Sequence, residues 1–411
     1  MPKSDFSMYA DRHHNIKPAD LIALDYYVAK SGEQFADTAA AYRHFRTKGQ
    51  YAGLDPSPYF YHRWYAWQNP EATRFDTCLD HFVAVTRQSF IDPAPFFDSL
   101  AFMAAEPGYP TIAHALAALT LGLDRSLSPD LSMHLNRLAE NQARVHAAIS
   151  MSVIRNSPTG RRRLVWVQAG PRFSTTSWFR PAQPRSWDLM CNWYTLDDLD
   201  LRHGEIHLRQ SGTKATAIHH VLQTAPDLLS NYDQILFLDD DLDIHHADID
   251  LLFDIAEHEG LALFQPALLP DSHGVWKDLF RKKDTGVRRT TGVEIMMPGF
   301  SRKALFDCSP MFGRSVSGFG LDFEISVYLR SRGMQCGVID SVGVRHYEQI
   351  DEQGGSYYRF MRMLGINHKL ELYRAIREIG AFPDFRETVT VTLDGLNRVG
   401  ADSHRDGTAA Y

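Results

Sequence analysis

The chain has 411 residues, enough for two domains, and its 44% hydrophobic and 23% charged residues are typical of a globular protein. A net charge of -7 argues against a general nucleic-acid binder, because phosphate binding needs clustered Lys and Arg. The cysteines are too scattered for paired zinc-ligand spacing and too few for a disulfide scaffold: Cys78, Cys191, Cys308 and Cys336. We therefore expect buried thiols in a reducing compartment.

The hydropathy pattern predicts a cytoplasmic protein. The amino terminus has no apolar core of the kind that secretory signals carry. The best candidate for a membrane span, residues 111 to 123, is too short to cross a bilayer and contains His114. A peripheral association with the inner face of the membrane would leave no mark of this kind, so it stays open.

Two similar segments predict a helical, repeat-like domain over residues 1 to 155. The segment LDPSPYFYHRWYAWQNPE begins at Leu54, and IDPAPFFDSLAFMAAEPG begins at Ile91, 37 residues later. Aromatic residues after a Pro-bounded turn, followed by an alanine-rich stretch, are typical of short helices stacked as hairpins. An irregular helical domain with a chance similarity is the alternative. Residues 125 to 155 also have a helical pattern, and the break NSPTG at 156 to 160 marks the domain boundary.

Residues 164 to 384 have a different pattern, in which apolar strand candidates alternate with helices. It predicts an α/β domain with a mostly parallel sheet flanked by helices on both faces. The predicted strands are 164 to 170, 206 to 210, 234 to 239, 261 to 269, 293 to 301 and 336 to 347. The predicted helices are 214 to 229, 248 to 259, 321 to 332 and 356 to 378. Residues 385 to 411 are polar, and we expect a loose tail.

The acidic run DDDLD, from Asp239 to Asp243, directly follows the apolar segment 232 to 238. Such a segment predicts a buried strand, and open α/β sheets bind ligands at the carboxyl ends of their strands. If the strand continued, Asp239 and Asp241 would project to one side about 6.6 Å apart and repel each other by roughly 2.5 kcal/mol at an effective dielectric of about 20. A divalent cation would turn this repulsion into binding, so the run predicts a metal site.

The acidic run resembles the DXD motif of GT-A glycosyltransferases, in which aspartates hold a divalent metal against the diphosphate of a nucleotide sugar. Phosphatases of the haloacid dehalogenase type also place two aspartates at a strand end. Their motif needs Thr or Val at the fifth position, where this chain has Asp243, which argues against that class. A solvated acidic turn is the remaining alternative.

A second motif, SGFGLDFE from Ser317 to Glu324, resembles the glycine-aromatic-glycine-acid element of many GT-A enzymes. Gly318 and Gly320 would allow the backbone to approach a sugar, and the aromatic ring between them can pack on the sugar's face. Asp322 is then the candidate general base, which takes the proton of an acceptor hydroxyl. The alternative is an ordinary acid at a helix amino terminus, favoured by the helix dipole.

Further candidate side chains lie at strand and helix ends. GT-A enzymes frequently take another metal ligand from a carboxyl-terminal His or Asp; the resemblance assigns it to His346, and neutral imidazole suits Mn²⁺ better than Mg²⁺. Lys214 opens a predicted helix, where a nearby nucleotide diphosphate would explain a cation; a solvent-exposed lysine is the alternative. Val167 and Gln168, at the end of the first predicted strand, are candidates for the nucleobase pocket.

Residues 164 to 355 resemble a family of uncharacterised domains of land plants and bacteria, often labelled "lysine ketoglutarate reductase trans-splicing related". The matching stretches occur in the family's order: TK at 213 to 214, YDQILFLDDDL at 232 to 242, FQPAL at 264 to 268, GFSRKA at 299 to 304, SGFGLDF at 317 to 323 and GVIDSVGVRH at 337 to 346. The family usually has Trp in place of Phe319 and Asp-Glu-Asp in place of the three aspartates. Since the family is similar to GT-A glycosyltransferases, the resemblance implies a GT-A fold that uses a nucleotide-sugar donor.

The segment DPSPYFYHRWYAWQNPE, from Asp55, also resembles a short module found beside bacterial polysaccharide glycosyltransferases. The resemblances together imply a metal-dependent, inverting glycosyltransferase with a glycan or glycolipid acceptor, acting in surface polysaccharide or glycoconjugate assembly. Asp239, Asp241 and His346 would hold Mn²⁺ or Mg²⁺, and Asp240 would contact the donor. The amino-terminal domain would provide any association with a membrane or a biosynthetic complex. A noncatalytic sugar-binding scaffold and a nucleotide-sugar hydrolase are the alternatives.

Overall fold

The computed structural model describes Tyr9 and residues 15–178, 184–195 and 199–392. The chain divides into two compact units, residues 1–137 and 138–411. Within the described residues, no helix is both long and apolar enough to span a bilayer.

The first unit is built from short helices. They are α1 (Leu24–Ser31), α2 (Thr38–His44), α3 (His62–Gln68), α4 (Cys78–Val85), α5 (Ser99–Ala105) and α6 (Ile112–Thr120). A 3-10 turn at Pro18–Leu21 precedes them, and a π turn at Phe45–Gly49 and a second 3-10 turn at Pro70–Arg74 lie between them. The boundary between the two units falls within α7 (Leu131–Ala147).

The two similar sequence segments have the same local structure at their helix starts. Oδ1 of Asp55 accepts a hydrogen bond of 2.7 Å from N of His62, the first residue of α3. Oδ1 of Asp92 accepts one of 2.7 Å from N of Ser99, the first residue of α5. Because each carboxylate satisfies one of the free N–H groups that a helix start leaves, the repeated aspartate fixes where the helix begins.

The second unit contains an eleven-stranded sheet. Its strands are β1 (Met151–Asn156), β2 (Arg163–Ala169), β3 (Trp187–Trp193), β4 (Ile206–Gln210), β5 (Gln234–Asp239), β6 (Leu242–Asp243), β7 (Leu261–Leu268), β8 (Thr285–Thr290), β9 (Gly299–Ser301), β10 (Gln335–His346) and β11 (Glu387–Thr392). The order across the sheet is β1-β4-β3-β2-β5-β9-β7-β10-β8-β11, and β6 pairs with β10. The strands β2, β3, β4, β5, β7, β10 and β11 run in one direction, and the other four run against them.

Helices cover both faces of this sheet. They are α8 (Thr175–Trp178), α9 (Lys214–Thr224), α10 (Asp227–Ser230), α11 (His246–His258), α12 (Arg302–Asp307), α13 (Ser309–Phe312), α14 (Leu321–Ser331), α15 (Ser356–Leu364) and α16 (His368–Ile379), with a 3-10 turn at Lys277–Leu279. Alternate residues of the central strands face opposite cores. One core holds residues of α9, α12 and α14, and the other holds residues of α11. The predicted α/β domain with a mostly parallel, helix-covered sheet is confirmed.

Several sequence-based element predictions need correction. The helix predicted as far as residue 155 ends at Ala147, and Met151–Asn156 forms β1, which pairs with β4. The strand predicted at 293 to 301 is reduced to the three residues of β9. The helix predicted at 356 to 378 breaks at Gly365, which has a left-handed φ of 71°. In the predicted loose tail, β11 pairs with β8; residues 393 to 411 lie outside the described residues.

Candidate active site

The acidic run lies at the edge of the sheet where the parallel strands end. β5 is buried from Gln234 to Leu238, and Asp239 is its last residue. The chain then turns through Asp240 and Asp241, so the spacing expected for a continuing strand does not apply. Each of the three carboxylates has different partners and therefore a different chemical environment.

Asp241 is paired with His346, the last residue of β10. Pairing of β6 with β10 sets His346 opposite Leu242, and Nε2 of His346 lies 3.0 Å from Oδ2 of Asp241. Nδ1 lies 2.6 Å from the carbonyl oxygen of His273, so Nδ1 carries a hydrogen and Nε2 faces the acid. Burial acts to lower the pKa of His346, but the hydrogen bonds and the charge of Asp241 raise it to about 9. Burial acts to raise the pKa of Asp241, but His346 holds it below its ordinary value.

Asp239 is paired with Lys214, the first residue of α9. The ammonium nitrogen lies 2.7 Å from Oδ1 of Asp239 and also donates to the carbonyl oxygen of Met296 at 2.7 Å. The hydroxyl of Thr213 caps α9 by accepting from N of Thr216, which fixes the start of the helix beside the strand end. The Lys214 side chain is only 10% exposed, so a solvent-exposed lysine does not describe it. Burial raises the pKa of Asp239, although Lys214 opposes the rise.

Asp240 points to the side of β2 and β3. Its Oδ2 accepts hydrogen bonds from N of Gly170, at 2.8 Å, and from the hydroxyl of Tyr194, at 3.2 Å. A β-carbon at Gly170 would lie 2.6 Å from the same Oδ2, so this approach needs glycine. Burial and the charges of Asp239 and Asp241 raise the pKa of Asp240 to about 6. The sequence analysis missed Tyr194 because it missed β3, the strand that Tyr194 follows.

Val167 and Gln168 lie at the end of β2. Gln168 is opposite Asp239 in the pairing of β2 with β5, and its Oε1 accepts from Nδ2 of Asn192 at 2.9 Å. Nε2 of Gln168 is buried and has no hydrogen-bond partner in the described residues. Val167 is fully buried and packs in the core on the α11 side. Of the two residues, only Gln168 has a polar atom left to bind a ligand, and the nucleobase assignment stays a prediction.

Asp322 is the second residue of α14, immediately after the loop of residues 315 to 320, which we call the glycine loop. Gly318 and Gly320 both have φ of 85°, a left-handed conformation that glycine adopts without strain. The Asp322 side chain is buried, and its Oδ1 accepts from N of Phe323 at 3.0 Å. Burial, with the charge of Glu294, raises the pKa of Asp322 to about 8. A carboxylate with this pKa is a stronger base than an ordinary aspartate.

Glu371 of α16 holds the loop that leads to Asp322. Its fully buried carboxylate accepts from N of Val316 and N of Ser317, both at 2.8 Å, and from the hydroxyl of Ser315 at 2.8 Å. It also accepts from Nε2 of Gln142 at 2.5 Å. A buried carboxylate with this many donors fixes the backbone around it. This role is not predictable from the sequence, because Glu371 looks like any acid in an amphipathic helix.

Glu294 is a further acid of the site that the sequence analysis missed. It lies between β8 and β9, and the backbone N of Glu294 donates a hydrogen bond of 2.8 Å to Oε1 of Gln265 on β7. Burial raises the pKa of Glu294 to about 7, and the charges of His346 and Lys214 oppose this rise. The available signal was a lone acid in the apolar stretch VEIMM.

Asp239, Asp241 and His346 offer the donor atoms that a divalent metal needs. Among the described residues, no three His, Cys, Asp or Glu side chains form a group that could hold a metal ion as they stand. Lys214 pairs with Asp239, and His346 pairs with Asp241. However, Oδ1 of Asp241 is buried and has no hydrogen-bond partner in the described part of the chain. A buried carboxylate oxygen without a partner fits a cation ligand, and two carboxylates with one imidazole suit Mn²⁺.

Comparisons with known proteins find distant likenesses among the solved structures. No protein-family model matches the chain, and no curated protein matches it in sequence. A solved structure that resembles it is GalNAc-T7 with UDP, GalNAc and Mn²⁺, at 13% identity and a TM-score of 0.38, over 53% of this chain and 47% of that one. Another is A197 from STIV, at 15% identity and a TM-score of 0.29, over 46% of this chain and 87% of that one. The chain thus spans about half of GalNAc-T7.

Proposed function

We propose that the chain is a metal-dependent glycosyltransferase of the GT-A type, which moves a sugar from a nucleotide-sugar donor to a glycan or glycolipid acceptor. The observation that supports this most is the meeting of Asp239, Asp241 and His346 at one edge of the sheet, with Lys214 beside them. Several acids and a lysine at a strand end suit a metal and a diphosphate together.

Asp239, Asp241 and His346 would hold the metal, which when bound neutralises charge on the leaving diphosphate. His346 must lose its Nε2 proton for this, because only neutral imidazole is a ligand. Lys214 carries a second positive charge on the same side, suited to a phosphate oxygen. Asp240 is fixed by Gly170 and Tyr194 and is our candidate for contact with the ribose or sugar of the donor.

Asp322 would take the proton from the acceptor hydroxyl as the new glycosidic bond forms. Burial keeps this carboxyl largely protonated at neutral pH, so the base becomes available as the pH rises toward about 8. Attack by the acceptor from the side opposite the diphosphate inverts the anomeric carbon. The resemblance of the segment from Asp55 to modules beside bacterial polysaccharide glycosyltransferases favours surface polysaccharide or glycoconjugate assembly as the setting.

The test is calorimetric binding of a panel of nucleotide sugars to the full chain, with and without Mn²⁺. We expect metal-dependent binding that is lost in Asp241→Ala and kept in Asp243→Ala. Asp243 is the control because it is exposed and its Oδ2 accepts a hydrogen bond of 2.8 Å from the Tyr347 hydroxyl. No binding at millimolar concentrations would contradict the proposal. Release of free sugar at the same rate with and without glycan acceptors would instead indicate a nucleotide-sugar hydrolase.

A further inference from the structure

Glu294 lies on a segment that connects the two halves of the candidate site. The carbonyl oxygen of Met296 accepts from the Lys214 ammonium group, which also pairs with Asp239. Cγ2 of Ile295 lies 3.7 Å from the position that a β-carbon on Gly318 would take. The segment 294–296 therefore runs from the acidic run to the glycine loop before Asp322.

In the proposed reaction, the transferred sugar occupies the space between the acidic run and the glycine loop. If the diphosphate binds near Lys214 and the acceptor hydroxyl binds near Asp322, the sugar lies between them, beside the segment 294–296. The backbone of Glu294 is held in place, because its N–H donates to Oε1 of the fully buried Gln265 at 2.8 Å.

One oxygen of the Glu294 carboxylate has no hydrogen-bond partner in the part of the chain that the structure describes. This oxygen, Oε2, is inaccessible to solvent. Buried carboxylate oxygens normally have a donor, and leaving one without a donor destabilises the fold. Glu294 as a whole is half-buried, so a rotation of its carboxylate can bring Oε2 to a ligand hydroxyl, which would remove this penalty.

We propose that Glu294 accepts a hydrogen bond from a hydroxyl group of the transferred sugar and selects neutral donor sugars over uronic acids. This inference rests on the proposed function. Sugar hydroxyls are donors that match a carboxylate, and a hydrogen bond to a charged acceptor is stronger than one between neutral groups. A uronic acid would instead bring a carboxylate, which has no hydrogen to donate to Oε2 and is repelled by ionised Glu294 in a poorly solvated site.

The test uses the full chain with Mn²⁺ and two matched pairs of donors, UDP-glucose with UDP-glucuronic acid and GDP-mannose with GDP-mannuronic acid. The variant Glu294→Gln keeps the shape and removes the charge, and Glu294→Ala removes the acceptor as well. We expect the wild type to bind the neutral member of one pair at least about tenfold more tightly. The preference should fall by about tenfold in Glu294→Gln, and neutral-sugar binding should weaken by about tenfold in Glu294→Ala.

Binding of UDP and GDP without a sugar separates this inference from the proposed function. Equal Mn²⁺-dependent binding of one diphosphate in wild type and both variants, together with a changed sugar preference, would support a contact between Glu294 and the transferred sugar. If the diphosphate binds but the preference is absent, or is the same in all three proteins, the inference is wrong and the proposed function stands. Loss of diphosphate binding in Glu294→Gln would assign Glu294 to the fold of the site and overturn the inference. Absence of diphosphate binding in the wild type would overturn both.

Discussion

The ammonium group of Lys214 lies 2.7 Å from Oδ1 of Asp239, so the first residue of α9 neutralises the acid that ends β5. The Lys214 side chain is 10% exposed and that of Asp239 is 35% exposed. Opposite charges in such a partly buried pair attract more strongly than in water. A divalent cation that binds Asp239 would compete with this ammonium group. Released from the acid, Lys214 would be free to bind a phosphate oxygen of the donor.

Lys214→Met should weaken binding of UDP or GDP in the presence of Mn²⁺ by about tenfold or more, because a charged contact to phosphate is lost. Binding of Mn²⁺ alone should not weaken, because Asp239 loses its competing partner. Isothermal titration calorimetry measures both affinities. Lys303→Met is the matched control, since Lys303 is 71% exposed and pairs with Asp307 on α12. Unchanged diphosphate affinity in Lys214→Met would contradict the assigned role.

His346→Gln should lower the affinity for Mn²⁺ by at least about tenfold, because even the loss of an indirect metal-site contact has an effect of this size. Titration followed by the Mn²⁺ electron paramagnetic resonance signal measures it. His273→Gln is the control, because its exposed side chain changes while its backbone carbonyl still accepts from Nδ1 of His346. Equal Mn²⁺ affinities in the two variants would argue against ligation by His346.

Asp322→Asn should abolish most transfer, with a loss of about 10²-fold or more, because general base catalysis contributes at least that much. It should also stabilise the fold at about pH 8. The pKa of Asp322 is raised in the folded state, so the unfolded chain loses this proton first as the pH rises, and stability falls between about pH 4 and 8. Thermal unfolding should therefore give Asp322→Asn a higher Tm than wild type at about pH 8, and nearly the same Tm at about pH 4. A lower Tm at the higher pH would contradict this account of the buried carboxyl.

The pH dependence of kcat/KM gives an independent check on the base. The rate should rise with pH and level off above about 8, since Asp322 acts only when ionised. The charge of Glu294 contributes to the raised pKa, so Glu294→Gln should move this rise to lower pH. A profile that falls with pH over the same range would indicate that Asp322 is needed in its protonated form.

Glu371→Ala should destabilise the second unit by roughly 3 kcal/mol or more, because several buried donors lose their acceptor at once. Glu371→Gln should cost less, since one amide oxygen remains to accept. Chemical denaturation measures both. Glu378→Ala, about two turns further along α16, is the control because Glu378 is partly exposed and pairs with Arg314. If Glu371→Ala were as stable as Glu378→Ala, the contacts of the glycine loop with Glu371 would not matter to the fold.

Apolar runs made the central strands predictable. The residues of β5 are buried up to Asp239. The apolar run in the sequence has the length of a strand and is too short for a typical buried helix. β8 escaped prediction because its sequence, TGVRRT, is polar. Its Arg288 is fully buried only because Nε of Arg288 lies 2.7 Å from Oδ2 of Asp340, a partner on β10 that tertiary structure supplies.

The acids of the candidate site were predictable to different degrees. Asp239 and Asp241 stand together in the sequence, and their crowding at a strand end indicates a cation. His346 was assigned only by resemblance, and the pairing of β6 with β10 now explains how it reaches Asp241. Glu294 could not be placed in advance, because its surroundings come from β7, α9 and the glycine loop, which are far apart in sequence.

A crystal structure with Mn²⁺ and a nucleoside diphosphate tests the central claim most directly. The account predicts one metal bound by Asp239, Asp241 and His346, with the diphosphate on the metal and the Lys214 ammonium group beside a phosphate oxygen. Anomalous scattering from Mn²⁺ would identify the site without ambiguity. A structure in which the Lys214–Asp239 and His346–Asp241 pairs persist, and the metal and diphosphate bind elsewhere or not at all, would contradict it.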